Sequence, residues 1–382
     1  MRFRFLDVER QYIRGHIERF DQKNQMYRRT RWQPEFRELV RKLWGEGPLE
    51  NRPGYVQKDR ALENAGWYVE MGYAMGNVTE NMGLYSWESK PLNHYHPLPL
   101  DYKEGVTDLS KMSRIVKKVA KFAGADLVGV CQLDRRWIYS HLLDWFTREH
   151  KVLEIPPKID YAIIFAVEMD YTLIKTTPTC TGGAATGMGY SKMAFTAGMI
   201  AEFIRNLGYK AIPSGTGTAL SIPMAIDAGL GELGRHGLLI TYEFGPRVRL
   251  AKVLTDLPLQ PDTPIEFGVT QFCEKCKKCA QHCPGHAIQY GERTDKPLNI
   301  STNPGVLKWP IDAEKCLTSW AKTGSSCAVC IRVCPFNKEP VWLHDMVKWG
   351  VSNAPWLDPF FVWTDGLLGY DKPMHPEEFW AK

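Results

Sequence analysis

Eight of the ten cysteines in this 382-residue chain fall into two runs, Cys273-x-x-Cys276-x-x-Cys279-x-x-x-Cys283-Pro284 and Cys316 followed by Cys327-x-x-Cys330-x-x-x-Cys334-Pro335. A Cys-x-x-Cys-x-x-Cys turn wraps three thiolates around one face of an iron–sulfur cluster, and the fourth cysteine, before proline, points away to ligate a second cluster. Crossed ligation then gives one [4Fe–4S] cluster to Cys273, Cys276, Cys279 and Cys334. The second falls to Cys283, Cys327, Cys330 and the more distant Cys316, which replaces the first member of a shortened motif. Structural zinc closes with four ligands from one or two Cys-x-x-Cys pairs, and disulfide frameworks belong to small secreted scaffolds. Neither fits, so the chain moves electrons.

The cluster-binding segment is a small part of the chain, so something outside it must receive the electrons. A net charge of +5 with no long Lys/Arg run gives no case for a nucleic-acid partner. No stretch of 18 apolar residues suggests a membrane span, and the charged Met1–Phe20 segment lacks a secretory apolar region. Arg28-Arg29-Thr30-Arg31 resembles a twin-arginine signal only until Trp32-Gln33-Pro34-Glu35, which is polar and reads as a solvated patch.

Four segments are expected: 1–105, aromatic and loop-rich with a helix near 35–45; 106–262, an α/β or α+β core; 263–338, the ferredoxin-like module; and 339–382, an aromatic tail that wraps back over the core. In the core, Ile115, Val116, Val119 and Phe122 recur at helical spacing and Gly124 suits a helix end. Strands are expected at 125–133, 161–169, 209–213, 238–244 and 247–255, with a helix at 193–207. Thr181 to Gly187 reads as a small-residue loop, either a plain turn or a cradle for a phosphate or ring edge. Gly229-Leu230-Gly231-Glu232-Leu233-Gly234 matches a dinucleotide fingerprint in letters, but a strand-like segment follows where a helix is required. Gly229, Gly231, Gly234 and Gly237 are expected instead to let backbone approach a bulky planar ligand.

From about 180 to 335 the chain resembles the respiratory reductive dehalogenases. The resemblance rests on Tyr209 to Gly215, Ala225 to Glu232, Gly237 to Thr241, Glu243 to Leu250, Thr255 to Leu259, Asn303 to Val306 and both cysteine runs. It implies a nitroreductase-like corrinoid-binding core, a two-cluster ferredoxin-like module, and flanking segments that build the substrate pocket. It also implies a base-off corrinoid, cob(I)alamin in its active state, without a histidine ligand; no Asp-x-His-x-x-Gly occurs here.

Carried onto this chain, the resemblance makes Tyr190 the proton donor and Arg249 its basic partner, with Arg247, two residues away and read on the same strand face, an alternative. Ser214, Gly215, Thr216 and the four glycines above are the expected corrinoid contacts. Trp320, with Trp67 and Tyr68, is expected to wall the substrate pocket. Many relatives carry Asn-Asp-Thr where this chain has Thr216-Gly217-Thr218, which removes an asparagine side chain from that wall. The expected setting is organohalide respiration on the outer face of the cytoplasmic membrane, with a small membrane anchor protein and a respiratory electron donor as partners. The oligomeric state stays open, a homodimer among the options. The rival readings are an epoxyqueuosine reductase-like corrinoid enzyme and a non-catalytic electron-transfer subunit. The placing of Cys316, with Trp320 between it and Cys327, puts its cluster nearest the cobalt.

Overall fold

The computed structural model describes residues 3–43, 51–74, 83–88, 96, 102–145, 147–339 and 341–381. Its centre is a four-stranded sheet of β1 (Leu127–Gln132), β2 (Tyr161–Glu168), β3 (Ala211–Ser214) and β4 (Val248–Thr255), in the spatial order β1-β2-β4-β3. Every pairing in it is antiparallel, so the core is of the α+β kind. Side-chain alternation sorts the two faces. Ile163, Phe165, Val167, Ala251 and Val253 pack under the long helices, while Ala162, Ile164 and Leu254 join an opposite cluster with Trp137, Ile138 and Met224.

Helix Leu109–Phe122 starts where the Asp108 carboxylate accepts from the Lys111 N–H, buries Met112, Val116 and Ala120, and ends before Gly124 at φ +108°. The segment read as a small-residue loop is instead the first two turns of a 27-residue helix, Cys180–Asn206, whose Thr179 hydroxyl accepts from the Gly182 N–H. Its glycines serve a helix crossing. A Cβ on Gly187 would sit 2.5 Å from Trp67 Cδ1, and one on Gly66 would sit 2.7 Å from the Ala184 carbonyl oxygen, so helix Gln57–Val69 lies nearly backbone to backbone against it.

Residues 238–244, read as a full strand, supply only the two-residue strand Leu239–Ile240, paired to Glu232–Leu233. This small hairpin explains the glycine run. A Cβ on Gly229 would meet the Thr263 carbonyl oxygen and one on Gly234 would meet Ile240, while Gly231 abuts the Ile240 carbonyl. These three glycines therefore bring protein backbone against protein, and only Gly237 reaches a cavity wall.

The cysteine module is built of one-turn and two-turn helices, Val269–Lys275, Lys278–Gln281 and Val329–Arg332, plus the longer Ala313–Thr323. The C-terminal helices Trp342–Asn353 and Asp358–Leu367 pack on this module rather than on the sheet. Lys278 pairs with Asp365 and with Asp371, Lys338 pairs with Asp365, and Gly268 abuts the Val351 carbonyl. Trp342, Trp349, Trp356, Phe360 and Trp363 stay exposed.

Candidate active site

A cavity of about 440 Å³ opens where the start of β4, helix Ser221–Asp227, the turn after β3 and the 301–313 segment converge. Tyr190 reaches it from the middle of helix Cys180–Asn206, together with Met193 one turn on. Arg249 reaches it from β4, paired in register opposite Val167. The guanidinium carbon of Arg249 lies 5.1 Å from the centre of the Tyr190 ring. Trp67 stacks on Tyr190 at 4.9 Å between ring centres and 24° between planes. Two rigid elements and a third crossing helix thus fix one phenol.

Arg249 Nη2 donates to Thr186 Oγ1 at 3.2 Å, while its buried Nε has no partner among the described residues. That leaves hydrogen-bonding capacity beside the phenol. Arg247 sits elsewhere. Its N–H closes the turn onto the Phe244 carbonyl, and its guanidinium is held by the Met169 carbonyl, the Asn337 amide oxygen and the Glu168 carboxylate. It lies over the Tyr171 ring and not over Tyr190.

The remaining expected residues divide. Thr216 and Gly237 line the cavity. Ser214 instead accepts from the Thr218 N–H and hydroxyl, and Gly215 gives its carbonyl to Lys252. Burial pushes the Lys252 ammonium down to about 7, and its other bond, to Ser221 Oγ at 2.9 Å, ties the turn after β3 to helix Ser221–Asp227. Trp320 meets Tyr27 edge to face at 5.8 Å. Tyr68 is exposed and contacts Tyr73 on the surface.

Sequence reasoning passed over several wall residues. Tyr139 and Trp137 come from the segment after β1, and Trp309 from the insert between the cysteine runs. Tyr27 belongs to the same neighbourhood: burial raises its phenol well above the usual range, and Tyr190 and Cys316 raise it further. Their only signal was an aromatic content too high for loops.

Seven of the eight thiols fall in two packed neighbourhoods, with Cys279 on the side of Cys327 although Cys273 and Cys334 act on it most strongly after burial. Cys273, Cys276 and Cys334 pack with Phe272, Phe336 and Trp309, while Cys279 and Cys327 pack with Ile311 and the partly buried Cys283, Cys330 and Trp320. Burial pushes Cys273 up to about 12, with Cys276 as the next cause, and raises Cys334, with Cys273 as the next. Burial likewise pushes Cys316 up to about 12, followed by Cys327 and Cys283. For Cys279, burial is followed by Cys273 and Cys334, and for Cys330 by Cys327 and Cys316. Mutually repelling buried thiolates are what a metal cluster neutralises. The cavity wall touches both neighbourhoods. Trp309 belongs to the buried cluster that includes Cys273, and Ile311 packs against the one that includes Cys279 and Cys327.

Residues 272–337 match the family model for a 4Fe-4S double cluster binding domain, and residues 143–259 match that for a reductive dehalogenase subunit. The tetrachloroethene reductive dehalogenase of Sulfurospirillum multivorans is 38% identical over 86% of this chain and 71% of its own. That of Desulfitobacterium hafniense strain Y51 is 35% identical over 86% of this chain and 70% of its own. Among solved structures, the catabolic reductive dehalogenase NpRdhA superposes with a TM-score of 0.72 at 22% identity, covering 97% of this chain but 49% of that one. The chain thus spans about half the length of that structure.

Proposed function

Since the chain belongs to the reductive dehalogenase family, we propose that it replaces a carbon-bound halogen by hydrogen, using two electrons delivered through two [4Fe–4S] clusters to a base-off corrinoid. The observation that carries this reading is the cavity itself, which joins the Tyr190–Arg249 pair on one wall to both thiol neighbourhoods on another.

The cavity suits a corrinoid. Its wall is mostly aliphatic, with Ile222, Ile226 and Leu238, and its polar lining residues are hydroxyl, amide and ammonium carriers such as Thr216, Ser301 and Lys308. Thr302 Oγ1 and Asn303 Oδ1 are buried there without hydrogen-bond partners among the described residues, and a ring rimmed by amide groups would supply the missing donors. Thr216, Ser301, Thr302 and Asn303 would hold the rim. When bound, the corrinoid supplies the low-potential electron pair that breaks the carbon–halogen bond.

The chain's own residues do the rest. The Tyr190 hydroxyl gives the proton that the carbon centre requires once halide leaves. Arg249, beside the ring, favours the tyrosinate that remains. Trp67 holds the phenol in place, and the aromatic wall of Trp137, Tyr139 and Trp309 limits water. Overall, R–X takes up two electrons and a proton to give R–H and X⁻. We assign Cys273, Cys276, Cys279 and Cys334 to one cluster and Cys283, Cys316, Cys327 and Cys330 to the other. The second is taken as nearest the cavity, because Ala313 on the cavity wall opens the helix that carries Cys316.

No helix among the described residues is long and apolar enough to cross a membrane. We place the protein peripherally, held by a small anchor subunit, and the exposed tail aromatics support such a docking face. The deciding experiment loads the chain with cobalamin and iron–sulfide, verifies both metals, adds titanium(III) citrate and measures halide. Chlorinated ethenes come first, because the relatives above act by name on tetrachloroethene. Release of halide matched to two electrons is expected; no halide from chlorinated ethenes, ethanes or phenols overturns the reading.

A further inference from the structure

We propose that Asp21, His141 and His150 bind a late first-row divalent cation such as zinc, at a site separate from the cysteines and the cavity. Strands His141–Leu143 and His150–Val152 form a small antiparallel hairpin in which Leu143 faces His150 and His141 faces Val152. The two imidazoles stack at 4.7 Å between centres and 25° between planes. Asp21 approaches from the N-terminal segment. His150 Nε2 lies 3.0 and 3.1 Å from its two oxygens, and His141 Nδ1 lies 3.9 Å from Asp21 Oδ2. All three potential ligand atoms fall within 4.8 Å of one another.

Two imidazoles and a carboxylate are a donor set that zinc and its neighbours accept, with bonds of about 2.0–2.2 Å and room for a water in the remaining position. One cation would satisfy both stacked rings and the carboxylate together. The carboxylate is already oriented, because Asp21 Oδ1 accepts from the Lys23 N–H at 3.0 Å. Lys23 Nζ at 3.6 Å from Asp21 Oδ2 and Ser140 Oγ at 3.1 Å from His141 Nδ1 are contacts that a metal would displace or loosen.

The site would act as a clasp. The next residue, Gln22, donates to the Gly217 carbonyl at 2.8 Å and accepts from the Leu143 N–H at 3.0 Å. A cation joining Asp21 to the hairpin therefore also tightens the turn that carries Thr216 into the cavity wall.

The test uses protein carrying both clusters and cobalamin, so that the cysteines are occupied, stripped of loose metal on a chelating resin and then given zinc. Retention of about one zinc per chain and a rise in Tm of about 2–4 °C are expected. His141→Ala and His150→Ala should each abolish both effects. Their rings reach solvent, so an unchanged Tm without zinc will show that they fold; His150→Gln serves as the second variant. No zinc retained by the parent chain, or equal retention by the variants, overturns the proposal. Neither outcome bears on halide release.

Discussion

Arg247 and Arg249 stand two residues apart at the start of one strand, yet their surroundings are opposites. Around Arg247 the guanidinium is used up by a carboxylate, an amide and a carbonyl, so the side chain joins the end of β2 to the residues just after Cys334. Around Arg249 one nitrogen meets a threonine, another has no partner among the described residues, and the charge faces a phenol on a cavity wall. Saturation fits the structural role, and unsatisfied capacity beside a phenol on the cavity wall fits the chemical role we propose for Arg249.

The largest expected effect tests the phenol on which the contrast depends. Tyr190→Phe should keep its iron and cobalt yet turn over about 10²–10⁴-fold more slowly; full rate would remove Tyr190 from the chemistry. The arginine pair comes next. Arg249→Leu should lower turnover by about 10²–10³-fold with little change in unfolding midpoint. Arg247→Leu should do the reverse: it strands the buried Asn337 amide oxygen and the Glu168 carboxylate, a loss of about 3–5 kcal/mol, with the folded fraction turning over normally. Equal loss of rate in both variants would break the comparison.

The smallest effect concerns Glu70, a buried acid whose one side-chain donor among the described residues is the Tyr85 hydroxyl at 3.3 Å. Burial pushes its carboxyl up to about 7. An acid that holds its proton more tightly when folded favours the fold below about pH 4.5, and that advantage is lost as pH rises to 7. Urea midpoints of Glu70→Gln should therefore gain on the parent between pH 4 and pH 8, by about 3 kcal/mol at most. Parallel pH curves would show that the carboxylate finds charge compensation in the fold.

What could be read from the sequence followed the reach of each physical rule. Cysteine spacing is set by cluster geometry, so both runs could be read as a two-cluster module without knowing the fold. Tyr190 and Arg249 came from the family resemblance, and the structure brings them together. Period-two and period-3.6 apolar patterns located helix Leu109–Phe122 and the strands at 161–168 and 248–255. The pattern failed at Thr181–Gly187, where glycine answers to a neighbouring helix rather than to its own backbone, and at Gly229–Gly234, where it admits a protein carbonyl. Trp137, Tyr139 and Trp309 stayed hidden because cavity walls assembled from distant segments leave no local period.

The crossing of helices Gln57–Val69 and Cys180–Asn206 has a consequence for how such proteins diversify. Trp67 can stack on Tyr190 only because Gly66 and Gly187 let the two backbones touch. The Tyr190 phenol is thereby insulated from drift elsewhere in the cavity. Substitutions at Thr216, Leu220 or Ile222 are free to reshape what the cavity accepts, while almost any side chain introduced at those two glycines would shift the Tyr190 ring itself. Laboratory evolution of substrate range on this scaffold should accordingly accumulate changes along the 216–226 wall and none at Gly66 or Gly187.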